Sequence, residues 1–439
     1  MNTKLANLVY HLAATVRREA TFRYLSDYEA SQWWDREQIE VFQSDRLAEL
    51  LNFIADEVPK YNGVPADSVY DLPIVSKKEI KEQTKLFLAQ NPNGPLTTKT
   101  TGGSTGQPIT IVKSSDAMAR EQAGTLRGYS WAGIYPGNKQ ARMWGVPRNS
   151  AKRNKESIRD FLLNRIRFSA FNYKESDLAE FYQRFMNFRP DYIYGYVSMV
   201  RDFANFLSRN GKMQTYPWLK AVVTTSEVLS EAARQDISKA FGVRVYNEYG
   251  CGEVGTIAHE CEHGTMHVSS ENLFIEILDE QNKPTKQDGK IIVTELHNRA
   301  QPLVRYELGD YGRLGRGDCP CGRKLTVLEN IHGRAYDIVV GPEGRKYHPE
   351  FFIYIFEELK QESESILQFQ LVQNNETLNI SLVRGKDFDQ QIETQILARL
   401  RQEFGDYFTT DFNYVDSIPR EPSGKLRVVK RAQPVELPN

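Results

Sequence analysis

Apolar positions along this chain change period several times, and each change predicts an element. Residues 1–96 carry helical spacing, with Trp33, Trp34, Phe42, Leu47, Leu50, Leu51 and Ile54 as core candidates. Ser76 and Glu79 form a Ser-x-x-Glu capping box that predicts a helix start. The run Ile109-Thr110-Ile111-Val112 reads as a strand, and a helix is predicted after Ser115 through Arg127. Between 152 and 167, Ile158, Phe161, Leu162 and Ile166 repeat at helical spacing among six basic residues; a solvated amphipathic helix is the reading, with an acidic-acceptor surface as the alternative. From 180 onward, short apolar strands (191–195, 221–225, 243–246) alternate with helices (197–209, 230–240), which argues α/β layering. Residues 274–278 and 289–294 add a β-rich subdomain. After about residue 335 the pattern restarts. Leu367, Phe369 and Leu371 alternate, Asn374-Asn375 turns, and Leu378, Ile380 and Leu382 alternate again. Phe388, Ile392, Ile396, Leu400 and Phe404 then follow at helical spacing, with a strand near 411–416. The prediction is an α/β protein: a large domain over 1–335, with parallel-rich sheets flanked by helices plus the β-rich subdomain, and a small α+β domain over 336–439.

Composition narrows this picture little. A chain of 439 residues that is 40% hydrophobic and 11% aromatic can bury a sizeable core. The net charge of −1 gives no argument for nucleic acid or an anionic membrane. No apolar run is long enough to span a bilayer. The start, Leu5 to Ala14, is short and mixed and reads as a docked amphipathic helix, so a cytoplasmic location is expected. The four cysteines, Cys251, Cys261, Cys319 and Cys321, lie close together in a long chain, which suits reduced thiols or a metal site better than a disulfide framework.

The densest chemistry is Thr100 to Pro108, Thr-Thr-Gly-Gly-Ser-Thr-Gly-Gln-Pro. Its three glycines let backbone approach an anion closely, and its hydroxyls are flexible donors. Such a loop suits a polyphosphate. It lacks the Gly-Lys-Ser/Thr ending of a Walker A loop, and a strand follows it, so a P-loop NTPase is disfavoured and the neutralising lysine must come from elsewhere. Taken alone the loop reads equally as a Ser/Gly turn. Four further segments carry weaker signals: Tyr246 to Glu253, Pro302 to Asp310, Gly333 to Asp337, and Ser417 to Arg427 with Lys425 on a Gly-containing turn.

Together, in this order and spacing over roughly residues 70–431, these segments resemble the adenylate-forming superfamily of acyl-CoA synthetases and adenylation domains. The chain looks most similar to the phenylacetate–CoA ligase branch, through Pro302-Leu303-Val304-Arg305-Tyr306 and Cys261 with Cys319-Pro320-Cys321-Gly322-Arg323. It looks closer still to the CapK-like group associated with capsular polysaccharide biosynthesis, through 168–172, 194–198 and 341–346. The resemblance implies an ATP-dependent acid ligase with a mobile C-terminal domain. Thr101, Gly102, Gly103, Ser104, Thr105 and Gly106 would cradle the ATP phosphates. Tyr249, beside Gly250, would stack on adenine, with Ser226, Glu227 and Glu248 along its edge. Asp310 would take the ribose hydroxyls and Arg334 would help hold the nucleotide. Glu253 would ligate Mg²⁺, Lys425 would bridge carboxylate and α-phosphate, and the hinge would fall at Tyr336 or Asp337. Tyr194, Gly195 and Tyr196 are candidates for the acid pocket, although aromatics at a strand end also serve as core.

Cys261, His267, Cys319 and Cys321 offer a thiolate–imidazole set suited to a structural Zn²⁺, with His263 as the alternative nitrogen and buried reduced thiols as the alternative reading. Gln107, Gly252, Tyr336 and Phe351-Phe352 depart from the family pattern, and the departures near the hinge put thioester formation in doubt more than adenylation. The expected partners are ATP, Mg²⁺, a small carboxylic acid, and either CoA or a sugar or amine acceptor. Two other functions are compatible with the residues: a nucleotide-binding scaffold with reduced catalysis, and a nucleotidyltransferase that leaves AMP on its product. A homodimer is compatible with the sequence, which does not otherwise specify assembly.

Overall fold

The computed structural model describes residues 2–16, 19–100, 109–144, 150–169, 173, 175–332, 339–347, 351–352, 355–356, 365–385, 387–418 and 428–432. The calls at Thr101 to Gln107, Arg334, Tyr336, Asp337 and Lys425, and the 335/336 boundary, lie outside these residues.

The N-terminal helices are α1 (Thr3–Val16), α2 (Thr21–Ser31), α3 (Arg36–Glu57) and α4 (Lys77–Glu82). A complete capping box starts α3: the Asp35 side chain accepts from Gln38 N at 2.8 Å, and the Gln38 side chain accepts from Asp35 N at 3.0 Å. At α4 only half of the expected box forms. Ser76 Oγ accepts from Glu79 N at 3.2 Å, but the Glu79 carboxylate pairs with Lys60 instead, because a cation is within reach. Helix α1 docks through its small side chains, with Ala6 and Ala14 buried while Leu5, Leu8, Leu12 and Val16 face outward. Trp33 departs from its core assignment. It is 57% exposed, and its ring packs against the Arg323 guanidinium.

Strands β1 (Leu96–Thr100) and β2 (Thr110–Ser114) form a separate antiparallel hairpin, and α5 (Ser115–Ser130) follows with Ser114 as its cap. Next come β3 (Gln140–Trp144), α6 (Ser150–Leu162), β4 (Arg165–Ser169), α7 (Glu175–Phe188), β5 (Tyr192–Tyr196), α8 (Val197–Arg209), β6 (Ala221–Thr225), α9 (Glu231–Phe241) and β7 (Val245–Cys251). The expected 152–167 helix stops at Leu162. Arg165 to Arg167 instead enter a strand parallel to β3, where Arg165 and Arg167 both bind Asp160. Ile158, Phe161 and Leu162 remain exposed.

The remaining large-domain strands are β8 (Gly255–Glu260), β9 (Met266–Val268), β10 (Leu273–Leu278), β11 (Gly289–Glu295), β12 (Tyr306–Leu314) and β13 (Val327–His332). They complete an 11-stranded sheet of order β10-β11-β12-β13-β9-β8-β7-β6-β5-β3-β4. One half, β4 to β7, is parallel and the other antiparallel, the change falling between β7 and β8. Strands β5 and β6 are buried along their whole length, as parallel strands covered on both faces must be. Helix α8 covers one face with Val197, Val200, Phe203, Ala204 and Leu207, while Tyr129 near the end of α5 packs on Tyr192 and Tyr194.

The C-terminal residues hold β14 (Val339–Val340), β15 (Lys346–Tyr347), β16 (Ile366–Asn374), β17 (Thr377–Arg384), α10 (Gln390–Phe404), β18 (Thr409–Tyr414) and β19 (Val429–Arg431). Their four-stranded sheet has the order β18-β17-β16-β19, and their apolar cluster includes Phe351, Phe352, Phe369 and Phe404. The expected 367–382 hairpin is β16–β17 with its turn at 375–376. Among the described residues, no helix is long and apolar enough to cross a membrane.

Candidate functional site

A cleft of about 540 Å³ opens where the parallel half of the large sheet meets the antiparallel half, a size suited to a small-molecule ligand. The carboxyl ends of β5, β6 and β7 form its floor, the usual ligand position in an open parallel sheet. Two acidic groups dominate one wall. Glu253 sits in the tight turn between β7 and β8. Its carboxylate lies 3.0 Å from Lys77 Nζ and accepts a longer bond, 3.4 Å, from the Tyr306 hydroxyl. Asp310, on β12, accepts from the Tyr249 hydroxyl at 2.9 Å. The two residues lie on separate elements and face one cavity.

Sequence reading missed Lys77. Its position is fixed by an irregular joint: Val75 bridges alongside Tyr306, with Val75 N to Arg305 O at 2.9 Å and Glu307 N to Val75 O at 3.0 Å. Arg305 holds that joint with a left-handed backbone (φ 48°). Its guanidinium grips Glu276 at 2.8 and 3.1 Å and donates to the Tyr70 and Leu72 carbonyls. The Ser-x-x-Glu box marked the start of α4, but nothing local indicated where its first side chain would reach.

The hairpin β1–β2 reaches the cleft at the end of its first strand. Thr100 lines the cleft, and its hydroxyl lies 3.0 Å from that of Thr110, its register partner, so the neck of the 101–108 segment is closed there. Buried charge anchors the hairpin: Lys99 reaches Glu121 at 2.6 Å and Lys113 pairs with Glu295. Of the adenine-edge candidates, Ser226 adopts a left-handed backbone (φ 67°) at the end of β6, a strained conformation of the kind found at ligand clamps. The Glu227 carboxylate is engaged by the start of α8, accepting from Ser198 N at 2.6 Å and Ser198 Oγ at 2.9 Å. Gly250 must be glycine, because a Cβ there would lie 2.6 Å from the Gly255 carbonyl. Cys251 lines the cleft as an unreactive thiol, since burial and then Glu253 push its pKa well up.

Tyr194 lines the cleft, whereas Gly195 and Tyr196 lie behind it. Gly195 permits β5 to approach β3; a Cβ would meet the Met143 carbonyl at 2.5 Å. Tyr196 is fully buried and stacks on Trp144 at 4.3 Å, so it acts through that ring. Glu248 turns away from Tyr249 and binds Tyr194.

The four metal candidates converge. The ligand atoms of Cys261, His267, Cys319 and Cys321 lie within 4.8 Å of one another. Cys261 Sγ is 3.6 Å from Cys319 Sγ, and Cys321 Sγ is 3.3 Å from His267 Nε2. Burial lowers the His267 pKa to about 4, which leaves its ring neutral, the ligating form. All the cysteines are free thiols. The set packs under Trp131 and Leu325. It also adjoins the cleft wall: on β9 and β13, Met266 and Leu328 line the cleft, while His267 between them in the pleat points to the thiols.

Over 402 residues the chain is 24% identical to Protein CapK of Staphylococcus aureus, covering 88% of this chain and 87% of that protein. Residues 339–432 match the family model of the CapK C-terminal domain. The chain is similar to CapK along most of its length. It is also 22% identical over 325 residues to phenylacetate-coenzyme A ligase of Thermus thermophilus, covering 70% of this chain and 72% of that enzyme. Among solved structures, 2-hydroxyisobutyryl-CoA ligase, in complex with 2-HIB-AMP and CoA in the thioesterification state, superposes with a TM-score of 0.59 at 19% identity, over 90% of each chain. That likeness supports the α/β fold with its separate C-terminal domain.

Proposed function

We propose that this protein is an ATP-dependent ligase that adenylates a small carboxylic acid and passes the acyl group to a second substrate. The observation that carries the reading is the single cleft at the sheet junction that is lined by both the Lys77–Glu253 and the Tyr249–Asp310 pairs and by Thr100, the last residue of β1. The homology to phenylacetate-coenzyme A ligases supports it.

In the first step a substrate carboxylate oxygen attacks the α-phosphorus of ATP. A new O–P bond forms, the bond to the bridging oxygen breaks, and pyrophosphate leaves. Thr101 to Gly106 hold the β- and γ-phosphates through backbone amides and hydroxyls. Tyr249 offers its ring to adenine, Asp310 accepts from the ribose, and Ser226, Glu227 and Arg334 complete the nucleotide contacts. Glu253 already faces a cation in Lys77, and it fits Mg²⁺ as a hard oxygen donor. When bound, Mg²⁺ supplies charge neutralisation at the phosphates. Lys77, which lines the same cleft, would add a second positive charge beside the phosphates. Lys425, on the C-terminal domain beyond a hinge at Tyr336 or Asp337, stabilises charge developing at the α-phosphate. In the second step an acceptor nucleophile attacks the acyl carbonyl and AMP leaves. CoA is the first acceptor to test, given the named relatives; a sugar or amine acceptor is the second. Cys261, His267, Cys319 and Cys321 fit a structural Zn²⁺, because a soft, compact and buried donor set matches tetrahedral zinc.

Acid-dependent exchange of pyrophosphate into ATP tests the shared first step. Lys425→Ala and Glu253→Gln are each expected to lower exchange by at least about a hundredfold, in the range lost with one preorganised transition-state contact. Full exchange in Lys425→Ala would refute its role.

A further inference from the structure

At the deep end of the cleft a row of side chains crosses four strands in register. Tyr196 pairs with Thr225, Thr225 with Glu248, and Glu248 with His259. Glu248 is more than nine-tenths buried, yet it lines the cleft together with Trp144, Tyr194 and Thr225. One of its oxygens accepts from the Tyr194 hydroxyl at 2.9 Å. The other, Oε2, has no hydrogen-bond partner. His259 Nε2 lies 3.8 Å from it, too far for a bond, and that nitrogen is itself without a hydrogen-bond partner. His259 cannot retreat, because α5 crosses directly above it; a Cβ on Gly128 would lie 2.1 Å from the ring. On the other side Trp144 stacks on Tyr194 and Tyr196, and Arg142 packs over Trp144 and Tyr194, so the walls are fixed.

Buried acceptors are almost always satisfied, and an orphan on a side chain that lines a ligand cleft points to a ligand that supplies the donor. We propose that the acid substrate carries an amino or hydroxyl group that donates to Glu248 Oε2 at the floor of this cleft. The inference rests on the adenylation reading and deepens it, moving Glu248 from the adenine edge to the acid pocket. A purely apolar acid would leave the oxygen unpaired and its own methylenes against a carboxyl group. Burial raises the Glu248 pKa, while Tyr194, Tyr129 and Thr225 and then Arg142 oppose the rise. A donor on the ligand would favour the ionised form further.

The alternative is structural: a protonated Glu248 that swings to His259 Nε2 and never meets substrate. Matched acids separate the two readings. Pyrophosphate exchange is measured with alanine, lactate and propionate; with γ-aminobutyrate, γ-hydroxybutyrate and butyrate; and with para-amino-, para-hydroxy- and unsubstituted phenylacetate. Sites built around a substrate donor reject the analogue lacking it by about 10⁴-fold, so kcat/KM is expected to favour a donor-bearing member of the active set on that order. Glu248→Gln should reduce this ratio to below about tenfold and Glu248→Asp should restore part of it, with ATP binding retained in both as the check on folding. If the unsubstituted acid is used equally well or better, the donor class is overturned and adenylation stands. If Glu248→Gln slows all acids in parallel with the ratio intact, the structural role is correct and the proposal fails. If no acid drives exchange in protein that binds ATP, adenylation itself falls and takes the substrate class with it.

Discussion

Replacing Lys77 by Met tests the central contact of the cleft. The ammonium and the Glu253 carboxylate are 3.0 Å apart, with side-chain exposures of 16% and 8%, so this is not a solvated surface pair. Their gross attraction at an effective dielectric of about 20 is about 5 kcal/mol. Most of that is cancelled by desolvation in the intact protein, but removal of one partner strands the other. Lys77→Met then leaves the buried Glu253 carboxylate without that cation, and a loss of about 3 kcal/mol is expected, the low end for a broken buried pair because the cleft admits water. Glu253→Gln should cost less, since the Lys77 stem can carry its charge toward the cleft mouth. The double variant, with neither charge present, should recover much of the loss. Urea unfolding followed by tryptophan fluorescence on the four proteins gives the coupling directly, and about 2 kcal/mol is expected. Additive effects, with coupling below about 0.5 kcal/mol, would refute the reasoning and make the contact incidental. Under the proposed function Lys77→Met also raises KM for ATP, and Lys77→Arg restores part of it.

Protein produced with zinc supplied should contain about one zinc per chain, in keeping with a closed four-ligand site, and Cys319→Ser should lower both metal content and melting temperature; metal-free protein of unchanged stability would sink the site. Burial, with a smaller contribution from Arg127, pushes the His259 pKa down to about 3. Its neutral form therefore contributes stability that is intact above about pH 6.5, where the unfolded chain is also neutral, and is lost as pH falls toward 3, at about 1.4 kcal/mol per pH unit. In His259→Gln the pH slope of unfolding should lose about one proton between about pH 4 and 6, and an unchanged slope would mean that His259 protonates in the folded protein. Gly128→Ala places a methyl group 2.1 Å from the His259 ring; a loss of about 3 kcal/mol or more is expected in thermal unfolding, and a neutral outcome would show that α5 can lift from the sheet.

Local signals in the sequence were the most legible. Ser76 announced α4, the alternation on either side of Asn374-Asn375 announced β16–β17, and spacing from Phe388 to Phe404 announced α10. Ambiguity entered where two periods overlap. Ile166 fits the helical repeat of α6, but a parallel partner in β3 claimed it for a strand. The candidate site was legible as an ordered set of segments and only partly as geometry. The zinc candidates converge as expected, with His267 in the cluster. Lys77 and Glu253 meet across a joint made by Val75 and Arg305, and no local pattern encodes a contact between such distant segments. Adjacent residues on a strand alternate faces, and Glu248 and Tyr249 accordingly take different partners, Tyr194 and Asp310, a distinction that the segment's residue order does not carry.

The same alternation gives the short ladder between β9 and β13 a consequence of its own. Two pairings, Val327 with His267 and Leu328 with Met266, put thioether and leucine toward the cleft and imidazole toward the thiols. Sliding β9 by one residue would carry His267 into the cleft and Met266 onto the cysteines. The three pairings of β9 with β8 hold the same alignment from its other edge, and a metal on the cysteines and His267 would accept only that alignment. A metal bound there would serve the cleft as an alignment pin, holding its wall in frame from behind.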